Sequence, residues 1–156
     1  MQVVLYQPEI PPNTGSVARL CAATLTPLHL IEPLGFKIDD KHLKRAGLDY
    51  WEFVDLRVHK SWNHFIETAV PGNLWYFSKR AIRSYTATSY GDGDFLVFGP
   101  ETRGLPAEML EGNPERALRI PMMGTGVRSL NLSNAVSIVL YEGLRQLGRT
   151  EITKRP

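Results

Sequence analysis

Apolar positions along the chain come in short runs whose period switches between that of a strand and that of a helix. Val3-Val-Leu-Tyr6 is a continuous apolar run of strand length, closed by a proline-rich turn. In the stretch Gln7 to Ser16 that follows, Asn13 or Thr14 is placed to cap a helix with apolar positions Val17, Ala18, Leu20, Cys21 and Leu25, ended by Pro27. Leu28-His-Leu-Ile31 predicts a second strand, and Asp39 and Asp40 precede a short basic helix from Lys41 to Leu48. Glu52 to Val58 alternates like a third strand, after which Ser61 caps a helix with Trp62, Phe65, Ile66 and Ala69 on one side. Leu74–Phe77 and Phe95–Phe98 predict strands four and five. A loop from Gly99 to Gly104, a short helix around Pro106 to Leu110 and a sixth strand at Leu118–Ile120 come next. The last helix runs from about Leu132 to Leu147, with Ala135, Val136, Val139, Leu140, Leu144 and Leu147 on its apolar side and Asn131, Ser133 and Asn134 as capping residues.

Strands alternating with helices predict an α/β fold, a mostly parallel sheet flanked by helices. Ligands of such sheets bind beyond the C-terminal ends of the strands. Pro8 to Ser16, Gly99 to Gly104 and Pro121 to Ser129 each follow a strand and are rich in glycine, proline or small polar residues. They are expected to meet on one sheet edge. Residues 1–148 are read as a single domain and 149–156 as a polar C-terminal tail.

Composition narrows the class. At 156 residues, 43% hydrophobic and 22% charged, the sequence is that of a globular domain rather than a disordered chain. No apolar run approaches the ~20 residues that span a bilayer. The start lacks the charged region and cleavage site of a signal peptide, so a cytoplasmic location is expected. Cys21 is the one cysteine, which excludes an intrachain disulfide and a cysteine-based metal cluster. His29, His42, His59 and His64 lack metal-ligand spacing, so no metal is expected. The net charge of +2 permits an anionic partner without requiring one.

Several residues could carry chemistry. In Asn13-x-Gly15-x-x-x-Arg19, the arginine lies among apolar helix positions, where it either snorkels to solvent or faces an anion such as phosphate. In Phe98-Gly-Pro-Glu-Thr-Arg-Gly104, the two glycines bracket a charged loop directly after a buried strand, a common placement for binding residues. The alternative there is a tight turn with a solvated Glu101–Arg103 pair. A Gly-x-Gly-x-x-Gly after a strand is missing, as is a Gly-Lys-Ser/Thr, which removes the usual dinucleotide and P-loop sites. Ser129 and Ser133 have no histidine base nearby in sequence, against a hydrolase triad. Basic clusters at Lys37/Lys41/Lys44/Arg45, Arg57/His59/Lys60, Lys79/Arg80/Arg83 and Arg145/Arg149/Lys154/Arg155, with Tyr50, Trp51 and Tyr85 near them in sequence, could form an RNA-binding face.

Three runs taken together resemble one family. Asn-x-Gly-x-x-x-Arg, Phe-Gly-Pro-Glu-x-x-Gly, and Ile-Pro-Met followed by Arg128-Ser-Leu-Asn-Leu-Ser-Asn-Ala-Val136 match the motifs of the SPOUT RNA 2′-O-methyltransferases, SpoU (TrmH-like) branch. Leu-Tyr-x-Pro-Glu-Ile-Pro-Pro-Asn-Thr-Gly, His-Leu-Ile-Glu-Pro-Leu-Gly-Phe and Ala-Gly-Leu-Asp-Tyr look like the small single-domain TrmL type within it. The resemblance runs from Val3 to Gly148. Ser78-Lys-Arg-Ala81 is more basic than the Thr-Thr-Lys-Gly common in the family.

The resemblance implies a C-terminal deep trefoil knot, a homodimer, and S-adenosylmethionine as methyl donor. It implies transfer to the ribose 2′-hydroxyl of the wobble nucleotide of tRNA, position 34, cytidine or modified uridine, with the anticodon stem-loop as RNA partner. Carried over by motif, Arg19 and Asn13 would be catalytic, with Arg19 acting near the partner's cofactor. Phe77, Ser78, Gly99, Glu101, Gly104, Ile120, Ser129 and Leu130 would hold the cofactor. Arg128, Lys44, Arg45 and Arg80 would meet the RNA. A guanidinium keeps its proton in proteins, so Arg19 is read as an electrostatic clamp rather than a base. The alternatives are 2′-O-methylation of another tRNA or rRNA ribose and, from a different class, a non-catalytic knotted RNA-binding protein.

Overall fold

The structure, a computed structural model, describes residues 1–38, 50–69 and 72–151. The expected basic helix Lys41–Leu48, with Lys44 and Arg45, lies outside the described residues. The strands are β1 (Gln2–Tyr6), β2 (Leu28–Ile31), β3 (Leu56–His59), β4 (Leu74–Phe77), β5 (Arg83–Ser84), β6 (Phe95–Phe98) and β7 (Ala117–Arg119). The α-helices are α1 (Pro11–Thr24), α2 (Trp62–Thr68), α3 (Ala107–Glu111) and α4 (Leu132–Gln146). All strand pairs are parallel, in a 7-stranded sheet of order β3-β2-β1-β6-β4-β7-β5.

The sheet is buried on both faces, which is why its inner strands read as unbroken apolar runs. Val3 and Leu5 of β1 point to one face with Val17 and Cys21 of α1 and Val136, Val139 and Leu140 of α4. Val4 points to the other face, with Phe65 of α2, Phe95 and Val97 of β6 and Leu110 of α3. Asn131 caps α4, its side-chain oxygen accepting from the Ser133 and Asn134 amides at 2.9 and 3.4 Å. Such a cap contributes about 1 kcal/mol, against roughly 1.5–3 kcal/mol for each large buried apolar side chain. The cap therefore sets where α4 begins, and burial decides that it forms. Burial also pushes the Cys21 thiol up to about 12, leaving it an unreactive core group.

Three details of the expected elements change. Helix α1 starts two residues before Asn13: Ile10 is its N-cap and makes no side-chain capping bond, and Pro11 and Pro12 open the helix. Proline brings a helical φ and no orphan N–H, so Asn13 is not needed as a cap and is free for other contacts. The alternating stretch before β3 is divided: Trp51–Phe53 forms a 3-10 turn, and the strand is Leu56–His59. The two-residue strand β5 at Arg83–Ser84 was not predicted.

Under α2 lies a buried imidazole pair. His29 and His59 stack with ring centroids 5.1 Å apart, with His29 Nδ1 2.9 Å from His59 Nε2 and His29 Nε2 2.8 Å from the Gln2 side-chain oxygen. That oxygen accepts from His29 Nε2–H, leaving His29 Nδ1 to accept from His59 Nε2–H. The arrangement requires the His29 ring to be neutral. Burial, and then the neighbouring His59, hold His29 down to about 4; burial and His64 lower His59 as well. A histidine in the unfolded chain titrates near 6.5, so between about pH 6.5 and 4 the unfolded state binds more protons. Stability is therefore present above pH 6.5 and is lost as the pH falls toward 4. At pH 5 the loss through His29 is about 2 kcal/mol, which for a chain of this size lowers Tm by about 4–8 °C relative to pH 7.5. Thermal unfolding at the two pH values checks this, with His29→Gln expected to flatten the fall and an unchanged pH dependence in that variant contradicting it.

Candidate active site

A cavity of about 780 Å³ opens beyond the C-terminal ends of β4, β6 and β7. Its lining includes Phe77 at the end of β4 and Ser78 after it, Gly99, Glu101 and Gly104 after β6, and Ile120, Ser129 and Leu130 after β7. Every residue expected to hold the cofactor is thus brought to one site. Asn13, Arg80 and Arg128 line it too. Arg19 does not: it is exposed on α1, six residues past Asn13, about 9 Å further along the helix axis.

The floor is made by Phe77 and Phe98, stacked with centroids 4.7 Å apart. Gly99 is required by close approach, because a Cβ there would lie 2.3 Å from the Leu105 nitrogen and 2.4 Å from the Gly104 carbonyl carbon. Gly104 has φ +71 and donates its N–H to the Pro100 carbonyl at 2.9 Å, so the loop folds back on the strand end. On the β4 side, the Ser78 amide donates to the Leu118 carbonyl at 2.9 Å and its hydroxyl accepts from the Arg80 amide at 3.2 Å.

Glu101 ties these loops to α1. One carboxylate oxygen accepts from the Glu9 amide at 2.8 Å, the other from the Ile10 amide at 3.2 Å and from Asn13 Nδ2 at 3.0 Å. The carboxylate thus sits at the N-terminus of α1, where the helix dipole favours a negative charge. Asn13 in turn accepts from Asn131 Nδ2 at 2.9 Å. The result is a directional chain from the α4 N-terminus through Asn131 and Asn13 to Glu101. Glu9 returns the contact, accepting from the Thr102 amide at 3.1 Å and its hydroxyl at 2.7 Å. Arg103 donates to Gln7 Oε1 at 2.6 Å, so the Glu101–Arg103 surface pair is not what the loop forms. Both groups reach across to the first loop.

Lys79, Arg80, Arg103 and Arg128 face the cavity with Glu101, whose charge is taken up by α1. The site therefore presents a cationic rim over an apolar wall of Ile10, Ile120, Met122, Leu130, Leu132 and Ala135. Sequence reading missed Ile10, Met122, Leu132 and Ala135, because an apolar residue in a loop or at a helix start looks like any core residue. Lys79 was visible only as one member of a basic cluster.

The sequence profile described as the SpoU rRNA Methylase family matches residues 1–141. The chain belongs to the SpoU methylase family. Among relatives, the tRNA (cytidine(34)-2'-O)-methyltransferase of Escherichia coli (strain K12) is 54% identical over 149 residues, covering 95% of this chain and 94% of its own. A solved structure concerned with the 2-OH methylation of C/U34 on tRNA superposes with a TM-score of 0.90 at 53% identity, over 94% of this chain and 95% of that one. The SpoU methyltransferase AviRb of Streptomyces viridochromogenes, in complex with the cofactor AdoMet, shares the fold at a TM-score of 0.81 and 22% identity, over 97% of this chain and 59% of its own.

Proposed function

We propose that this SpoU methylase transfers a methyl group from S-adenosylmethionine to the ribose 2′-hydroxyl of the wobble nucleotide, position 34, of tRNA. The observation that carries the reading is the convergence of all three motif loops on one cavity, together with 54% identity to a tRNA (cytidine(34)-2'-O)-methyltransferase across nearly the whole chain.

The cavity fits the methyl donor. Its volume, about 780 Å³, lies in the range of small-molecule sites. Backbone at Gly99, Gly104, Ile120 and Leu130 offers hydrogen-bonding groups, Leu130, Leu132 and Ala135 offer an apolar wall for an adenosine, and Arg103 or Arg128 offers a cation for a carboxylate. Bound there, S-adenosylmethionine supplies an electrophilic methyl on a sulfonium. Phe77, Ser78, Gly99, Glu101, Gly104, Ile120, Ser129 and Leu130 would hold it, with Glu101 acting through the loops it joins. Arg80 and Arg128 meet the RNA backbone, where guanidinium forks match phosphate oxygens.

Arg19 clamps the target phosphate and ribose, and placing the hydroxyl against the methyl supplies much of the rate. Because Arg19 stands apart from its own chain's cavity, it serves the cavity of a second copy, and the enzyme works as a homodimer. Supporting that assembly, α1 and α4 lie side by side, with Ile138 and Tyr141 of α4 and Leu25, just past the end of α1, exposed. Asn13 positions the loops around this site rather than exchanging protons. Glu101 is the one acidic side chain among the described lining residues and has both oxygens occupied, so the hydroxyl proton leaves to an RNA phosphate or to water.

The C-terminal trefoil knot is proposed from membership of the SpoU family, and the strand order is compatible with it. The last strand, β7, inserts between β4 and β5, both of which precede it, before α4 returns to α1. Knotted chains are rare exceptions among folds. Residues 1–148 act as one domain in the cytoplasm; no helix among the described residues is long and apolar enough to cross a membrane. Methyl incorporation into tRNA lacking the position-34 modification tests the function. Cofactor binding without any transfer would favour another RNA, and absence of both would favour a non-catalytic RNA binder.

A further inference from the structure

Arg19 has a feature that its family motif does not explain. Its guanidinium carbon lies 4.9 Å from the centre of the Tyr50 ring, over the face of the aromatic. Tyr50 opens the 3-10 turn Trp51–Phe53, and Phe53 donates its amide to the Tyr50 carbonyl at 3.0 Å. Trp51 and Val54 of the same turn pack against the core cluster that contains Val17, Ala18 and Cys21 of α1. The turn is thus fixed to the helix that carries Arg19, and the Tyr50 ring, 40% exposed, stands beside the arginine at the surface.

We propose that Tyr50 is a positioning residue for Arg19, holding the guanidinium flat so that its edge donors point at the RNA. This rests on the reading of Arg19 as the substrate clamp. An exposed arginine has several freely rotating bonds, and ordering it on binding opposes the clamp. A π face attracts the cation while leaving the N–H edge free, because the contact uses the plane of the guanidinium and not its donors. The tyrosine hydroxyl has no part in this. Any aromatic ring serves, and an aliphatic side chain of similar bulk does not.

Steady-state methylation of tRNA by Tyr50→Phe, Tyr50→Trp and Tyr50→Leu, with Arg19→Ala in parallel, tests the assignment. Phe and Trp are expected to stay within about twofold of the parent. Leu is expected to lose about 3- to 30-fold in kcat/KM for tRNA, the range of a partly desolvated cation–π contact, with affinity for S-adenosylmethionine unchanged. Full activity in Tyr50→Leu, or equal losses in Leu and Phe, would overturn the proposal. If Leu impairs folding, a loss of rate in Phe or Trp with unchanged affinity for S-adenosylmethionine overturns the proposal on its own. Arg19→Ala separates the two readings: normal activity there removes the clamp itself, whereas an inactive Arg19→Ala beside a fully active Tyr50→Leu removes only the role given to Tyr50.

Discussion

Replacing Arg19 with alanine is expected to lower methyl transfer by about 10²–10³-fold while leaving S-adenosylmethionine affinity and Tm near those of the parent. The magnitude is that of removing one preorganised donor group aimed at developing charge. Stability is spared because Arg19 is exposed and its one described partner is the Tyr50 ring. Single-turnover rates with saturating cofactor separate the effect on chemistry from any effect on loading. Lysine at position 19 keeps the charge but not the planar fork, so full activity in Arg19→Lys would count against a bidentate clamp. The distance of Arg19 from its own cavity gives a second consequence. Co-expressing Arg19→Ala with a subunit defective at the cavity should restore activity in mixed dimers, because one of their two sites would combine an intact cavity with an intact arginine. Inactive mixed dimers would place the arginine in the same subunit as the cofactor.

Glu101→Gln should be nearly as damaging to activity, for a different reason, and should also destabilise the fold. The carboxylate accepts from the Glu9 and Ile10 amides and from Asn13 Nδ2. A carboxamide offers one accepting oxygen and turns two donors toward groups that are themselves donors. Leaving such a group unsatisfied costs about 1–3 kcal/mol, and the favourable charge at the α1 N-terminus is lost as well. Tm should fall by roughly 2–10 °C, with cofactor affinity reduced about 10- to 100-fold as the first and second loops come apart. Differential scanning calorimetry and isothermal titration with S-adenosylmethionine measure the two quantities. A Glu101→Gln enzyme with parental Tm and affinity would mean that the three hydrogen bonds do not hold the site together.

Elements with a strong period were legible in the sequence because burial on both sheet faces, or on one helix face, leaves a pattern that local preference does not blur. Leu74–Phe77 and Phe95–Phe98 are strands over the residues their apolar runs mark. Where local chemistry competed, the reading slipped. Asn13 looks like a helix cap by residue type, but Pro11 and Pro12 start the helix earlier and release its amide to join Glu101 to Asn131. Glu52 to Val58 fits an alternating pattern, yet its first two residues belong to a 3-10 turn, Trp51–Phe53. Arg83–Ser84 carries no apolar signal because its pairing with β7 is made by backbone alone.

The site divides in the same way. Gly99, Glu101, Ser129 and Arg128 stand in loops whose composition marks them, and they do line the cavity. The bonds that join the loops link residues about ninety positions apart, as from Glu101 to Glu9, and no spacing rule reaches that far. The contact of Arg19 with Tyr50 is shorter, spanning 31 positions, and equally invisible to pattern. The resemblance named the roles; the folded chain supplies the partners through which those roles could be carried out.

The most direct test is to incubate the enzyme with S-adenosylmethionine and tRNA lacking the wobble modification, then locate 2′-O-methyl groups by mass spectrometry of nuclease fragments. A methyl group on the ribose of nucleotide 34, absent from the Arg19→Ala reaction, is the predicted result. A methyl group on any other ribose, with nucleotide 34 unmodified, would contradict it.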